Sequence, residues 1–179
     1  MLDRLETARL ILRPWNESDR EPFRKLNSDP RVMEFMPSVL STAESDSAFD
    51  RIQEHRRRHG FTLFAAEARD TGRMIGYIGF LVPSFVAHFT PCVEIGWRLA
   101  PDSWGQGLAT EGARASVDYG FSTLGLREIV SFTVPANVRS RRVMEKLGMT
   151  RDPEEDFDHP RLPPGHPLRR HVLYRLRAS

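Results

Sequence analysis

The sequence predicts an α+β fold, in which a mixed β-sheet carries helices on both faces. In the first half of the chain, short apolar runs are joined by turn signals such as Arg69–Arg73 (RDTGR), as β-hairpins require. In the second half, a helical segment separates the strand-like runs Val93–Leu99 and Glu128–Val134, which is the pattern of a parallel βαβ crossover. The hairpins and the crossover together predict a mixed sheet with one parallel pair of strands.

The elements of the first half follow from apolar periodicity and from the residues that end each run. Pro14 stops the first strand, Ser18 or Asp19 can cap the first helix, and Gly60 ends the second. The predicted elements, in order, are a strand at Arg9–Arg13, helices at Glu21–Leu26 and Ala43–His59, and strands at Thr62–Ala68 and Met74–Val82. A loop is expected at Pro37–Thr42, between the two helices.

The second half alternates strands and helices around two irregular segments. Prolines make regular structure improbable at Pro83–Pro91 and in the loop Asp156–Leu168. The predicted elements are a strand at Val93–Leu99, a helix at Thr110–Leu124, a strand at Glu128–Val134, a helix at Asn137–Lys146 closed by Gly148, and strands at Met149–Arg151 and His171–Arg177.

Composition limits the class of protein. A length of 179 residues suits one domain with a real core, which we expect to span residues 1–179. No run approaches the roughly 18 apolar residues of a membrane span. Cys92 is the only cysteine, which excludes a disulfide framework and a cysteine-based zinc site. We expect a cytoplasmic protein that does not bind a membrane.

The charge balance argues against a nucleic-acid partner. Lysine and arginine number 26 and acidic residues 24, for a net charge of +2, although the pI is near 9.0. A dedicated nucleic-acid binder concentrates its basic residues on one face. The three basic runs here, Arg56–Arg58, Arg139–Arg142 and Arg169–His171, are short. A nucleic-acid-binding domain therefore stays only as a minor alternative.

The segment Pro101–Ala113 (PDSWGQGLATEGA) places glycines where a strand gives way to a helix. A helix N-terminus has unpaired backbone N–H groups and a partial positive charge, so it suits a phosphate. A P-loop needs a lysine that is missing here, and a dinucleotide GxGxxG fingerprint fails at Thr110. Taken alone, the segment could also be a plain glycine-containing turn.

Four further segments match one known family in order and in spacing. They are ETARLILRPW (Glu6–Trp15), DPRVMEFM (Asp29–Met36), VEIGWRL (Val93–Leu99) and NVRSRRVMEKLGM (Asn137–Met149). With Gly105-Gln106-Gly107-Leu108-Ala109, they make the chain resemble the GNAT acetyltransferases and, among these, the Rim-type ribosomal-protein N-terminal acetyltransferases. The family's pyrophosphate loop begins with Gln or Arg, and Trp104 replaces that residue, as is usual in the Rim-type branch.

The resemblance implies a GNAT-like three-layer α/β/α fold whose mixed, mostly antiparallel sheet has about seven strands. It also implies that acetyl-CoA is the cosubstrate. A fully paired strand has no backbone groups left for a ligand, so the two central parallel strands must splay apart at their C-terminal ends. The residues expected to bind acetyl-CoA are Trp97, Arg98 and Leu99 on the central strand, Trp104, Gly105, Gln106, Gly107, Leu108, Ala109 and Thr110 in the loop, and Asn137 and Arg142.

Two residues are expected to take part in proton transfer. Glu94 lies in an apolar strand and could accept a proton from the amine, directly or through water; alternatively it pairs with Arg98 on the same face. Many GNAT members donate a proton from a tyrosine in the last helix, where this chain has Met144. Ser140 could take that part, or could simply occupy the third position of a helix capped by Asn137.

The acceptor is expected to be a primary amine, either a protein N-terminus or a small molecule, attacking the acetyl group directly in a ternary complex. The segments Pro37–Ser47 and Asp156–Leu168 are expected to line its cleft, and their acidic residues could attract a cation or simply be solvated. The irregular spacing of the histidines argues against a metal site. A monomer or a homodimer is possible, and the alternative function is an acyl-CoA-binding module without chemistry.

Overall fold

The computed structural model describes residues 4–178 and has the mixed, mostly antiparallel sheet that the sequence predicts. The strands are β1 (Leu5–Glu6), β2 (Leu10–Arg13), β3 (Leu63–Ala68), β4 (Arg73–Leu81), β5 (Glu94–Leu99), β6 (Glu128–Thr133), β7 (Thr150–Arg151), β8 (Phe157–Asp158) and β9 (Arg170–Arg177). The sheet runs β1-β2-β3-β4-β5-β6-β9-β7, and β8 also pairs with β9. The pair β5–β6 is parallel and the others are antiparallel.

The described residues form nine strands rather than the expected seven or so. The two strands that the sequence did not predict, β1 and β8, have two residues each. Two residues are too few to show an alternating apolar pattern, so only their pairing with β2 and β9 reveals them. Strand β8 lies in the segment Asp156–Leu168, which was expected to be loop throughout.

Helices cover both faces of the sheet, which confirms the three-layer arrangement. The helices are α1 (Arg20–Ser28), α2 (Thr42–His59), α3 (Leu108–Ser122) and α4 (Val138–Lys146), with short 3₁₀ helices at Glu17–Asp19, Pro101–Ser103 and Pro153–Glu155. Residues Phe23 on α1 and Phe49 on α2 pack with Trp15 and Tyr77 on one face. Ile78, next to Tyr77 in β4, points to the opposite face and packs with the residues of α3 and α4.

Helix ends follow local capping chemistry. Helix α2 begins with a capping box between Ser41 and Glu44 and ends at Gly60, whose left-handed φ of 77° suits a residue without a Cβ. Asn137 caps α4 by accepting a hydrogen bond from the backbone N–H of Ser140. Helix α3 starts at Leu108, two residues before the predicted start, because Gly107 is already its N-cap.

The two parallel strands diverge after a single pair of residues, which confirms the predicted opening. The ladder between β5 and β6 consists of Glu94 opposite Val130. The Val130 N–H donates to the Val93 carbonyl at 2.9 Å, and the buried Ser131 hydroxyl donates to the Ile95 carbonyl, also at 2.9 Å. A side chain thus takes the place of the next strand partner, and beyond Ile95 the strands no longer pair.

A third apolar cluster lies beside the opening. Phe85 and Phe89, from the irregular segment that precedes β5, pack edge to face against each other. Both contact Phe132 of β6 and Phe157 of β8. The two phenylalanines therefore pack within this chain. No helix within residues 4–178 is long and apolar enough to cross a membrane.

Candidate active site

The opened edge of β5 presents backbone groups that no neighbouring strand pairs. The carbonyls of Val93 and Ile95 point towards β6, and strand alternation directs the backbone N–H and C=O of Trp97 and Leu99 to the same side. The Arg98 carbonyl lies instead on the β4 side, within 2.1 Å of where a Cβ on Gly76 would stand. The backbone of Arg98 therefore faces β4, and the opening is lined by Trp97 and Leu99.

One of these edge groups already has a partner inside the chain. The indole N–H of Trp104 donates a hydrogen bond of 2.8 Å to the Leu99 carbonyl. Arg139 lies over the same indole, 4.5 Å from the ring centroid, and forms an ion pair with Glu34 at 2.5 Å. The Trp104 side chain thus takes up the carbonyl at the C-terminal end of the β5 edge. The loop motif alone did not predict this contact.

The glycine loop leads into a helix N-terminus with free N–H groups. Gly105 and Gly107 have left-handed φ values of 73° and 79°. A Cβ added to Gly105 would meet no atom within 4 Å. The first hydrogen bond of α3 runs from the Glu111 N–H to the Gly107 carbonyl. The N–H groups of the first turn, 108–110, therefore have no partner within the helix, and no side chain in the described chain caps them.

An ion pair that the sequence analysis missed holds this loop to the sheet. The Arg9 guanidinium donates to Glu111 at 2.7 Å and to the Gln106 carbonyl at 2.9 Å. Glu111 also accepts hydrogen bonds from the Arg9 N–H at 2.8 Å and the Thr7 hydroxyl at 2.7 Å, and these bonds lower the pKa of its carboxyl, which burial alone would raise. Only the tertiary fold brings Arg9 next to Gln106, 97 residues away.

Glu94 lies at the start of β5, on the face opposite to Trp97. Its carboxylate makes no hydrogen bond or ion pair with any residue that the structure describes. Burial raises the pKa of Glu94 to about 8, because the charged form loses hydration that no partner replaces. Such a carboxyl can exchange a proton near neutral pH.

Arg98 does not pair with Glu94, so the structural alternative for Glu94 is absent from the described structure. The Arg98 guanidinium donates to the Asn27 side-chain oxygen at 2.9 Å and lies 5.4 Å from the centroid of the Tyr77 ring. These contacts place it against α1 and β4, on the same face of the sheet as Glu94.

Ser140 lies on the other face, where α4 begins beside the opening. Its hydroxyl accepts a hydrogen bond of 3.2 Å from the indole N–H of Trp97. The Asn137 side chain accepts from the Ser140 N–H at 3.2 Å and donates to the Thr133 hydroxyl at 3.0 Å. Asn137 therefore fixes the start of α4 against the end of β6, and the Ser140 hydroxyl still has its own hydrogen to donate.

The arginines of α4 differ in what they contact. Arg139 is engaged with Glu34 and Trp104, as described above. Arg141 donates to the Pro135 carbonyl at 3.1 Å. Arg142 is exposed and has no ion-pair partner within residues 4–178, which leaves its guanidinium available to a ligand.

Most of the acidic residues in or next to the two expected acceptor segments already have a partner in the chain. Asp46 pairs with Arg24, Asp156 with Arg151, and Glu155 with Arg175. Glu44 belongs to the capping box of α2. Across residues 4–178, no group of three His, Cys, Asp or Glu side chains converges as a metal site requires.

A mixed sheet opened between two parallel strands, next to a glycine-capped helix N-terminus, is the arrangement that the resemblance to the GNAT acetyltransferases implies. Residues 9–150 match the family model described as an acetyltransferase (GNAT) domain, and the chain belongs to that family. It is 32% identical to the N-acetyltransferase YnaD of Bacillus subtilis over 83% of each chain. The fold superposes on the acetyltransferase of Agrobacterium tumefaciens with a TM-score of 0.80 at 29% identity, covering 99% of this chain and 96% of that one.

The Rim-type resemblance has a counterpart in fold. The ribosomal-protein alanine acetyltransferase of Vibrio fischeri superposes with a TM-score of 0.76 at 15% identity, covering 97% of this chain and 96% of that chain. At that identity the likeness establishes a shared fold. The chain is thus an N-acetyltransferase, a family that transfers acetyl groups to amines, and its acceptor has to be argued from its own residues.

Proposed function

We propose that the protein transfers the acetyl group of acetyl-CoA to a primary amine, by direct attack within a ternary complex. The observation that carries the proposal is the opening beside Trp97 and Leu99 next to the free N–H groups of the first turn of α3. The opened edge of β5 can hydrogen-bond a chain that contains amides, and the N-terminus of α3 can bind a pyrophosphate. Acetyl-CoA has both groups, and it supplies the acetyl group as a thioester.

The loop and the edge divide the binding of the cofactor between them. The N–H groups that begin α3, after the left-handed turns at Gly105 and Gly107, suit the pyrophosphate because they have no hydrogen-bond partner within the helix. The edge groups of Trp97 and the N–H of Leu99 suit the pantetheine amides, and one N–H there can donate to a carbonyl oxygen. Arg142, which is exposed and has no described ion-pair partner, would contact the adenosine 3′-phosphate.

Proton transfer would use the two faces of β5. An attacking amine must lose a proton, and Glu94 can accept it directly or through water because its carboxylate has no described partner and a raised pKa. The departing thiolate must gain a hydrogen bond or a proton, and the Ser140 hydroxyl can donate one while it accepts from Trp97. Glu94 and Ser140 lie on opposite faces, so the acceptor and the thiol would not compete for one side.

The test is thiol release from acetyl-CoA in the presence of amino acids, peptide N-termini and polyamines. Acceptor-dependent release, with acetylated product seen by mass spectrometry, supports the proposal. Tight coenzyme A binding by calorimetry without release for any amine would support the alternative, a silent acyl-CoA-binding module. Absence of coenzyme A binding would contradict both.

A further inference from the structure

One face of β5 carries, in order, a carboxyl group, a glycine without a side chain and a cationic guanidinium. Alternation places Glu94, Gly96 and Arg98 on the same face of the sheet. A Cβ built on Gly96 would meet only the Leu63 Cδ2 atom, at the ordinary van der Waals distance of 3.9 Å, so a small group could be accommodated above this glycine. Successive residues on one face are about 6.6 Å apart along a strand, so Glu94 and Arg98 are about 13 Å apart along β5, and Gly96 places no side chain between them.

Arg98 carries a charge that this face leaves unbalanced. Its guanidinium is half-buried, its hydrogen-bond partner is the neutral amide of Asn27, and no carboxylate in the described chain forms an ion pair with it. A guanidinium has five N–H donors in a planar fork that matches a carboxylate. Partly burying such a group without an anion is unfavourable, so the arrangement favours an anionic ligand.

Asn27 holds this guanidinium in place and cannot neutralise it. An arginine only donates hydrogen bonds, so the amide must turn its oxygen to Arg98. The Asn27 side-chain nitrogen is then left buried without a partner. Asn27 is a positioning residue in this arrangement, and its free N–H group adds positive potential beside the guanidinium.

The acidic residues of the expected acceptor segments do not favour a cationic ligand instead. Most of the acidic residues expected to attract a cationic amine are paired with Arg24, Arg151 and Arg175 or used in a helix cap, and Glu154 is the exception. We infer that the acceptor is a small amine that carries a carboxylate, with its amine above Gly96 towards Glu94 and its carboxylate on Arg98. This inference rests on the proposed acetyltransferase function and specifies its substrate class as amino acids.

The decisive comparison uses the full chain and pairs of acceptors that differ only in charge. Thiol release from acetyl-CoA is measured with glycine, leucine, phenylalanine and glutamate, and with the corresponding α-amides, which lack the α-carboxylate. The amine of an amide is less basic, so more of it is neutral, and amine ionisation alone would favour the amide. We expect kcat/KM for the best amino acid to exceed that of its amide by about tenfold or more, as a charge-assisted hydrogen-bond pair implies.

Two variants test whether Arg98 is responsible. Arg98→Met keeps the length of the side chain and removes the charge, and Asn27→Asp gives Arg98 a carboxylate of its own at nearly constant volume. We expect both to reduce the acid-to-amide ratio of kcat/KM towards one, mainly through KM. Arg58→Met, at an exposed position near the end of α2, is the matched control and should keep the wild-type ratio.

The outcomes separate this inference from the proposed function. Faster transfer to amides, alkylamines or spermidine than to amino acids overturns the inference and leaves the acetyltransferase function standing. An unchanged ratio in correctly folded Arg98→Met and Asn27→Asp proteins also overturns it. If a variant does not fold, as circular dichroism would show, the wild-type ratio still decides. Absence of coenzyme A binding overturns the proposed function and this inference with it.

Discussion

The indole N–H of Trp97 donates to the hydroxyl of Ser140 across 3.2 Å, joining β5 to the first turn of α4 beside the opened edge of the sheet. The contact fixes the serine oxygen and leaves its hydrogen free. Under the proposed mechanism, the Ser140 hydroxyl would donate in place of the tyrosine that α4 lacks. Met144, at the tyrosine's position, is buried in the core with 1% of its surface exposed.

Ser140→Ala should lower kcat by about tenfold or more and change acetyl-CoA affinity by less than about threefold, since one donor to a developing negative charge is lost. The measurements are steady-state kinetics and calorimetric binding of coenzyme A. Ser122→Ala, which removes an exposed serine at the end of α3, is the matched control. An unchanged kcat would leave Ser140 with a purely structural role at the start of α4.

Glu94 predicts a pH dependence of activity. A base must be ionised, and burial raises the pKa of Glu94 to about 8. We therefore expect kcat/KM to rise about tenfold per pH unit below pH 8 and to level off above it. In Glu94→Gln this step should disappear and the plateau should fall. A weakly basic acceptor should be used, so that ionisation of the amine does not produce a second step in the same range.

The same pKa predicts how stability depends on pH. Between about pH 4.5 and pH 8 the folded chain keeps the Glu94 proton and the unfolded chain releases it, so the free energy of unfolding falls as pH rises through this window. Glu94→Gln has no such proton. Its melting temperature relative to wild type should therefore increase from pH 5 to pH 9. A constant difference would show that Glu94 is not buried as a neutral acid.

The sequence predicted those parts of the site that depend on local pattern. The glycine loop before α3, the cap at Asn137 and the placement of Glu94 on one face follow from chain-local geometry. The opening of the sheet was predicted through the resemblance to the GNAT family, because a strand that binds the cofactor needs unpaired backbone groups. The way in which the sheet opens could not be predicted. The Ser131 hydroxyl ends the ladder by donating to the carbonyl of Ile95, 36 residues away, and no local pattern in the sequence marks a serine for that role.

Contacts between distant segments account for what the sequence could not predict. Arg9 reaches the glycine loop, and Arg98 turns to Asn27 across 71 residues instead of to Glu94 four residues away. A strand pattern fixes the face on which a side chain lies. The partner on that face is decided by which helix packs there.

Two glycines with similar left-handed backbone conformations allow a paired test of the loop. Gly105 and Gly125 have φ values of 73° and 66°, and an added Cβ at either would meet no atom within 4 Å. Alanine at either position should cost roughly 1–2 kcal/mol of stability, because left-handed backbone disfavours a Cβ. Only Gly105→Ala should also weaken acetyl-CoA binding, by about tenfold, since backbone shifts there disturb the N–H groups of α3. Equal loss of affinity in both variants would contradict a phosphate site at this loop.

Arg142 provides the last prediction, because its guanidinium is exposed and has no described ion-pair partner. If it contacts the adenosine 3′-phosphate, Arg142→Gln should weaken coenzyme A binding by about tenfold at low ionic strength, and by less at high salt, where screening reduces the contact. Dephospho-coenzyme A lacks that phosphate and should bind the wild type and the variant equally. Calorimetry with both ligands measures the difference directly. Equal weakening for both would show that Arg142 acts elsewhere on the cofactor, and no weakening for either would leave it as a solvated side chain.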